Sequence, residues 1–251
     1  MNTIIHQVVT NMARITAPKL EGHLVAIVLQ SRIFRNWILS LDSRFNLQSI
    51  EIQTVFFRGG EANASDSSLL FLQLLVKIDN APYEQVVILR GGTVAILIVL
   101  KCKNERYVVL VKQPRLPSGQ YDIAELPAGM LGGQNHKSAA IQELEEEVGL
   151  VFQESNLIDL TGMIGESEGL FASPGLTNEQ VRFQLIEKEV TMEEILELQK
   201  KPAGLVVEGE TTEVWVVPLE EIWKSTRDGK AFIAISLYLY YLQESGQSRP
   251  L

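Results

Sequence analysis

The chain has 251 residues, of which 22 are basic and 31 acidic, so its formal net charge is −9. This acidic balance argues against a binder of duplex nucleic acid, which needs a basic face to meet the phosphates. The single cysteine, Cys102, excludes an intramolecular disulfide framework and a cysteine-cluster zinc site. With 46% hydrophobic residues, the chain can bury a full core, and its length suits one large domain or two small ones.

The sequence predicts neither a membrane-spanning segment nor an export signal. Residues 1–20 lack a basic start followed by an apolar block, which predicts no secretory signal. The apolar stretch from Val94 to Leu100 is far shorter than the roughly 20 residues that span a bilayer. The three histidines have no metal-ligand spacing, so carboxylate oxygens would hold any metal, which suits magnesium or manganese. We expect a soluble, cytoplasmic protein without nucleic-acid or membrane partners.

The predicted elements mix strands with a few helices. Strands are predicted, from runs of β-branched and apolar residues, at 50–57, 69–78, 86–89, 94–100, 107–111, 181–186 and 213–217. Helices are predicted, from apolar spacing, towards the end of 22–43 and at 135–148, 192–200, 219–225 and 231–242. This mixture indicates a layered α+β or α/β core. Residues 1–85 are predicted to form a smaller β-rich lobe, 86–245 the main domain and 246–251 a tail.

The segment between the strands and the first long helix of the main domain is rich in turn residues. Pro114, Pro117 and Gly119 mark a loop, and the ELPAG sequence at 125–129 leads into a glycine-bearing turn. In the following helix, Asn135 is a plausible N-cap. Gly149 stands where a left-handed C-cap belongs.

Three glutamates of this helix share one face if the segment is α-helical. Glu143, Glu146 and Glu147 stand at i, i+3 and i+4, where like charges destabilise a helix by a few tenths of a kcal/mol. A divalent cation would reverse that repulsion by bridging the carboxylates, and phosphate oxygens would complete its coordination. The alternative is a solvated acidic face, which composition alone favours.

The whole string resembles the Nudix box, in which a glycine, five residues, a glutamate and seven residues precede Arg-Glu-aliphatic-x-Glu-Glu-x-Gly-aliphatic. Its second half is matched by Glu143, Leu144, Glu146, Glu147, Gly149 and Leu150. The ELPAG sequence, SPG at 173–175, Arg90-Gly91-Gly92 and Gln113-Pro114-Arg115 resemble the ADP-sugar diphosphatase branch of that family. The resemblance covers about residues 30–245 and implies an α+β fold, a Nudix α/β/α sandwich with a mixed sheet.

Two positions of the box depart from the family pattern. The arginine is Gln142, the earlier glutamate is Gln134, and four residues separate Gly129 from Gln134 instead of five. In the family, these two charged residues commonly pair and brace the loop against the helix. Because both are replaced, we expect two neutral amides that hydrogen-bond to each other. The departures put efficient catalysis in doubt, since loss of such bracing can lower activity roughly 10–100-fold.

The resemblance implies roles for further residues. The metal ligands would be Glu143, Glu146, Glu147, Glu210 and the backbone carbonyl of Ala128, and Glu208 would be the catalytic base beside Glu146. Arg90 and Arg115 would bind the substrate's phosphates, and Glu179 would order a water or contact the sugar. From the residues alone, surface salt bridges and loop acids are the alternatives for the arginines and for these loop glutamates.

The function implied is Mg²⁺- or Mn²⁺-dependent hydrolysis of the diphosphate bond of a nucleoside diphosphate sugar. ADP-glucose or ADP-ribose would yield AMP and a sugar phosphate, and members of this branch form homodimers through the N-terminal lobe. An alternative is a weakened Nudix domain that acts as a nucleotide-binding or protein-interaction module, favoured by Gln134 and Gln142. A third is hydrolysis of NADH, coenzyme A or another diphosphate, which needs the same machinery and a different pocket.

Overall fold

The computed structural model describes residues 13–166, 168–199, 202–203 and 212–247. Contacts divide the chain into two compact units. Unit 1 holds the described residues up to Gly91 together with Ser173–Glu179, and unit 2 holds Gly92–Ala172 and the described residues from Gln180 onward. The first unit extends past residue 85, the predicted boundary, because the strand Gln85–Leu89 pairs with Leu69–Ile78 in the same sheet.

The secondary structure follows the sequence pattern closely, and every predicted strand lies within an observed one. The strands are Arg14–Thr16 (β1), Leu47–Phe57 (β2), Leu69–Ile78 (β3), Gln85–Leu89 (β4), Gly92–Cys102 (β5), Glu105–Arg115 (β6), Gln120–Glu125 (β7), Ala128–Met130 (β8), Ile158–Asp159 (β9), Leu170–Phe171 (β10), Gln180–Glu189 (β11), Pro202–Ala203 (β12) and Thr212–Pro218 (β13). The helices are Gly22–Gln30 (α1), Arg32–Ser40 (α2), His136–Glu143 (α3), Leu160–Met163 (α4), Met192–Leu198 (α5), Ile222–Ser225 (α6) and Gly229–Glu244 (α7). None of the helices in the described part of the chain is long and apolar enough to cross a membrane.

Unit 1 is a four-stranded sheet, in the order β1-β2-β3-β4, covered by two helices. The stretch 22–43 is predicted to be helical only towards its end, and it holds two helices separated by Ser31, which adopts an extended conformation. The Ser31 hydroxyl donates to the Val28 carbonyl at 2.7 Å and accepts from the Phe34 amide at 3.3 Å, so it ends one helix and caps the next. The helices pack on the sheet through buried apolar residues, among them Leu24, Val28, Phe34, Ile38, Ile50, Ile52, Leu72 and Leu74.

Unit 2 contains a mixed sheet buried on both faces. Its main order is β10-β11-β5-β6-β13-β12, with β5 parallel to β11 and antiparallel to β6. Because side chains alternate along a strand, β5 sends Ala95, Leu97 and Val99 into the core beneath α7. It sends Val94, Ile96, Ile98 and Leu100 into the core beneath α3 and α5. This arrangement of helices on both faces of a mixed sheet confirms the predicted α+β, α/β/α fold.

Two short strands flank the ELPAG sequence and were not anticipated by the sequence pattern. Strand β7 pairs with β6, and β8 pairs with β5, so Leu126 and Pro127 link two strands of one sheet. The predicted loop starts only after Arg115, since β6 runs through Pro114. Both strands are short, and β7 begins with polar residues, so their pairing in the sheet identifies them and the local sequence pattern does not. The result is that β8 lies directly beside the acidic helix.

Candidate functional site

The acidic helix consists of α3 and the π-helical turn Leu144–Val148 that continues it, and together they begin and end where the sequence predicts. The Asn135 side chain accepts hydrogen bonds from the amides of Lys137 at 3.0 Å and Ser138 at 2.9 Å, which makes it the N-cap. Gly149 ends the helix in the left-handed conformation, with φ of 68°. Between these two ends, Leu144 and Val148 are buried in the core beneath the helix. The helix is thus fixed at both ends, and its acidic residues are held at defined positions.

The last turn of this helix is wider than predicted. Leu144–Val148 forms a π-helical turn, whereas the sequence spacing assumed an α-helix throughout. The assumption is wrong for this turn, in which the carboxylate of the buried Glu147 accepts a hydrogen bond from the Ala128 amide at 3.0 Å. Such π-helical turns are frequent at functional sites. The turn aims Glu147 at the backbone of β8.

Glu143 approaches the same strand. The position that a Cβ would occupy at Gly129 lies 1.7 Å from Oε1 of Glu143, so the absent side chain of Gly129 leaves the room that this carboxylate fills. Ala128 and Gly129 therefore receive the carboxylates of Glu147 and Glu143, respectively. Two of the three predicted glutamates converge on one short backbone segment.

Glu146, the third glutamate, is held within the helix. Its Oε1 accepts a hydrogen bond from Nε2 of Gln142 at 2.8 Å, and Oε1 of Gln142 accepts one from Nε2 of Gln134 at 2.9 Å. The second bond confirms the predicted amide pair at the two positions that are charged in the family. One of these two bonds joins neutral amides and the other joins an amide to a carboxylate, so this brace between the loop and the helix forms without an Arg–Glu pair.

This brace leads to a prediction for the variant Gln142→Arg. Alone, the arginine would face Glu146 and the neutral Gln134, and in the double variant with Gln134→Glu it would gain a second carboxylate partner. Because Gln134 and Gln142 are exposed, we expect the double variant to be more stable than the single one by about 0.5 kcal/mol. Denaturant unfolding of both variants measures the difference, and equal free energies of unfolding would contradict the paired replacement.

The donors around β8 fit a divalent metal ion by their chemistry. Glu143, Glu147 and the Ala128 carbonyl offer hard oxygen donors, which Mg²⁺ and Mn²⁺ prefer, and Gly129 leaves space where a side chain would block Glu143. Among the described residues, no group of three or more His, Cys, Asp or Glu side chains is arranged to hold a metal. The predicted acids Glu208 and Glu210 lie outside the described residues. The structure thus brings the carboxylates of Glu143 and Glu147 to two adjacent residues of β8.

Arg115 is bound to a buried carboxylate. Its Nε and Nη2 each lie 2.8 Å from Oε2 of Glu125, the first residue of ELPAG, whose side chain is only 9% exposed. The Arg115 side chain itself is 41% exposed, so it reaches the surface while pairing with Glu125. The pairing across β6 and β7 gives Arg115 a structural partner that sequence reasoning did not identify.

Arg90 and Glu179 lie together in unit 1. Nε of Arg90 is 3.6 Å from Oε1 of Glu179, and the amides of Arg90 and Gly91 donate to Oδ1 of Asn178 at 2.8 Å and 3.4 Å. Gly91 has φ of 88°, a left-handed conformation that glycine adopts readily. The segment that follows SPG thus contacts Arg90 and Gly91 through Asn178. The sequence pattern did not identify Asn178.

A polar cluster beneath the start of α3 also escaped the sequence analysis. Asp159 forms ion pairs with Arg182 and, at 3.7 Å, with Nε2 of His136, the first residue of α3. It also caps α4 through the Gly162 amide at 3.0 Å. The buried Gln184 donates to the same carboxylate at 3.2 Å. His136, Asp159 and Arg182 are more than 20 residues apart in sequence, so no local sequence pattern predicts that they meet.

The environment of His136 predicts a pH dependence of stability. Burial lowers the pKa of His136 below its ordinary 6.5, Arg182 adds to that effect and Asp159 opposes it. The folded chain therefore binds this proton less readily than the unfolded chain, and stability is lost as the pH falls below the ordinary value. We expect His136→Gln to lose less thermal stability than the parent between about pH 7.5 and about pH 5.5. Parallel melting curves test this, and identical pH dependences would contradict it.

The region that contains these residues is similar to known proteins. The NUDIX domain family model matches residues 90–235. Nudix hydrolase 14, chloroplastic, from Arabidopsis thaliana is 34% identical over 221 residues, which are 84% of this chain and 71% of that protein. ADP-ribose pyrophosphatase from Bacillus subtilis is 33% identical over 154 residues, 61% of this chain and 72% of that protein. The matched region contains ELPAG, the acidic helix and strand β13.

Proposed function

Since this chain belongs to the Nudix family and is a hydrolase, we propose that it cleaves the diphosphate bond of a nucleoside diphosphate sugar. ADP-glucose and ADP-ribose are the proposed substrates, with AMP and a sugar phosphate as products. The similarity to an ADP-ribose pyrophosphatase supports this substrate class. The observation that carries the proposal is the convergence of Glu143 and Glu147 on Ala128 and Gly129.

The residues of the helix and of β8 would hold the metal ion. Hydrolases of this family use divalent metal ions, and we propose Mg²⁺, or Mn²⁺ in its place, held by Glu143, Glu146, Glu147, Glu210 and the Ala128 carbonyl. When bound, the ion neutralises phosphate charge and lowers the pKa of a bound water. The hydrogen bond from the Ala128 amide keeps the Glu147 carboxylate oriented without a flexible partner. The side-chain amide of Gln142 donates a hydrogen bond to Glu146.

The remaining groups are assigned by their chemistry. Glu208 would accept the proton of the attacking water, as a general base. Arg90 and Arg115 would bind phosphate oxygens, which suit the planar guanidinium group, and Glu179 would contact the sugar or order a water. Arg115 already pairs with Glu125, so its exposed edge would face the substrate. We also propose that the protein is a homodimer joined through residues 1–85.

An assay of diphosphate substrates tests the proposal. The purified protein with Mg²⁺ or Mn²⁺ is incubated with ADP-glucose, ADP-ribose, UDP-glucose, NADH, coenzyme A and a diadenosine compound, and release of the nucleoside monophosphate is measured. We expect turnover of an ADP-sugar that falls about 100-fold or more in Glu146→Gln. Glu145→Gln is the matched control, because Glu145 is its exposed neighbour on the same turn.

Other results of this assay would change the substrate class, the enzymatic function or the role of Glu146. Preferential turnover of NADH, coenzyme A or a diadenosine compound would replace the substrate class while keeping the hydrolase. Absence of turnover with all substrates, together with thermal stabilisation by a nucleotide, would favour the weakened binding module. Equal loss of activity in Glu145→Gln and Glu146→Gln would contradict the assignment of Glu146.

A further inference from the structure

A cavity of about 310 Å³ lies in unit 2 on the sheet face opposite the acidic helix. The alternation of side chains shows this placement: Val111 and Val214 point into the core beneath α3, whereas their neighbours Lys112 and Trp215 point to the other face. Its walls are formed by strands β6, β7 and β13, by the end of α6 and by the residues that follow α6. The cavity is therefore separate from Glu143, Glu146 and Glu147.

Three cationic side chains line this cavity. Lys112 is held with Nζ 4.1 Å from the centroid of the Trp215 ring, a cation–π contact. Lys224 lies in α6 and Arg227 follows that helix, and Asp122 is the only acid among the described residues that line the cavity. Within the described parts of the chain, none of the three cations forms an ion pair. This concentration of positive charge contrasts with the net charge of −9 for the whole chain.

The cation–π contact keeps Lys112 available to a ligand. Glu213 lies opposite Lys112 in the register of β6 and β13, where an ion pair could form across the ladder. The ammonium group instead lies over the indole of Trp215. Lys112 is thus positioned inside the cavity without being neutralised.

The cavity's chemistry identifies the ligand class. We infer that it binds a hydroxylated phosphate monoester, such as a sugar phosphate, between Lys112, Lys224 and Arg227. A guanidinium group binds two phosphate oxygens at once, and ammonium groups add charge to such an anion. The side chains of Gln120 and Asp122 offer hydrogen bonds to hydroxyl groups. The volume is at the lower end of the range of about 300–1,000 Å³ for small-molecule pockets, which suits one monoester better than a nucleoside diphosphate sugar.

This site stands independently of the proposed hydrolysis. A sugar phosphate is one product of that reaction, so a product would bind at a surface remote from the acidic helix. The inference rests on the cations, the indole and the cavity alone. Binding at this cavity can therefore be disproved while the proposed hydrolysis is confirmed, and hydrolysis can be disproved while this binding is confirmed.

Calorimetric titration without metal, in the presence of a chelator, tests the inference. The probes are glucose 1-phosphate, inorganic phosphate and sulfate. We expect glucose 1-phosphate to bind more tightly than either inorganic anion, and the double variant Lys224→Ala with Arg227→Ala to raise its Kd about ten-fold or more. Trp215 emission should change on binding, and that change should vanish in Trp215→Phe.

A charge-matched variant separates a built site from general attraction. Lys77→Ala with Lys188→Ala removes two exposed cations that do not line this cavity, and we expect it to bind glucose 1-phosphate as the parent does. Absence of binding at millimolar ligand, equal losses in the two double variants, or sulfate binding as tightly as glucose 1-phosphate would each overturn the inference. Hydrolytic activity of the Lys224→Ala, Arg227→Ala variant should equal that of the parent.

Discussion

Replacing Gly129 by alanine is expected to lower turnover of the best substrate about 100-fold with little loss of stability. The new Cβ would lie 1.7 Å from Oε1 of Glu143 and 1.9 Å from its Cδ, so that carboxylate must move away from β8. The clashing atoms are the far end of a flexible side chain, and the protein can fold around the displaced group. A carboxylate moved by about 1 Å no longer supports catalysis efficiently. Steady-state kinetics and a melting curve measure the two effects.

A second glycine provides the control for this variant. Gly229 begins α7, and nothing lies within 4 Å of the Cβ that alanine would add there. Gly229→Ala should therefore retain full activity, with stability unchanged or slightly raised, because alanine is the better helix former. Unchanged turnover in Gly129→Ala would show that Glu143 does not need its position beside β8.

Replacing Arg115 by alanine is expected to lower the free energy of unfolding by about 2–3 kcal/mol. The Glu125 side chain, 9% exposed, would lose both hydrogen bonds to the guanidinium group and, among the described residues, keep a long contact of 3.5 Å with Gln113. A buried carboxylate without its cation is costly. Urea unfolding of the variant measures the loss, and kinetics show whether KM also rises.

Two comparisons identify the origin of that loss. The double variant Arg115→Met with Glu125→Met should recover most of the stability, since no unpaired charge is left buried. Arg90→Ala should cost less than about 1 kcal/mol, because the pair of Arg90 and Glu179 is longer and more exposed. A raised KM with unchanged stability in Arg115→Ala would instead make Arg115 a substrate-binding residue without a structural role.

We propose one role for Arg115, and the structure shows another. The resemblance assigns it to the phosphates, and the structure pairs it with a buried residue of ELPAG. Because β7 leads into the segment that receives Glu143 and Glu147, a pair that fixes β7 against β6 also supports the acidic site. We expect stability and activity to fall together in variants of this pair.

The sequence by itself determined the strands of the core, the two ends of the acidic helix at Asn135 and Gly149, and the neutral pair of Gln134 and Gln142. These features depend on local signals: β-branched runs, the Asn135 cap, the Gly149 terminus and two positions eight residues apart. Tertiary structure alone decided the π-helical turn, the cluster of His136, Asp159 and Arg182, and the pairing of Arg115 with Glu125. Each of these arises where a buried or partly buried charged or polar group takes a partner from another element of the fold, and no local pattern names that partner.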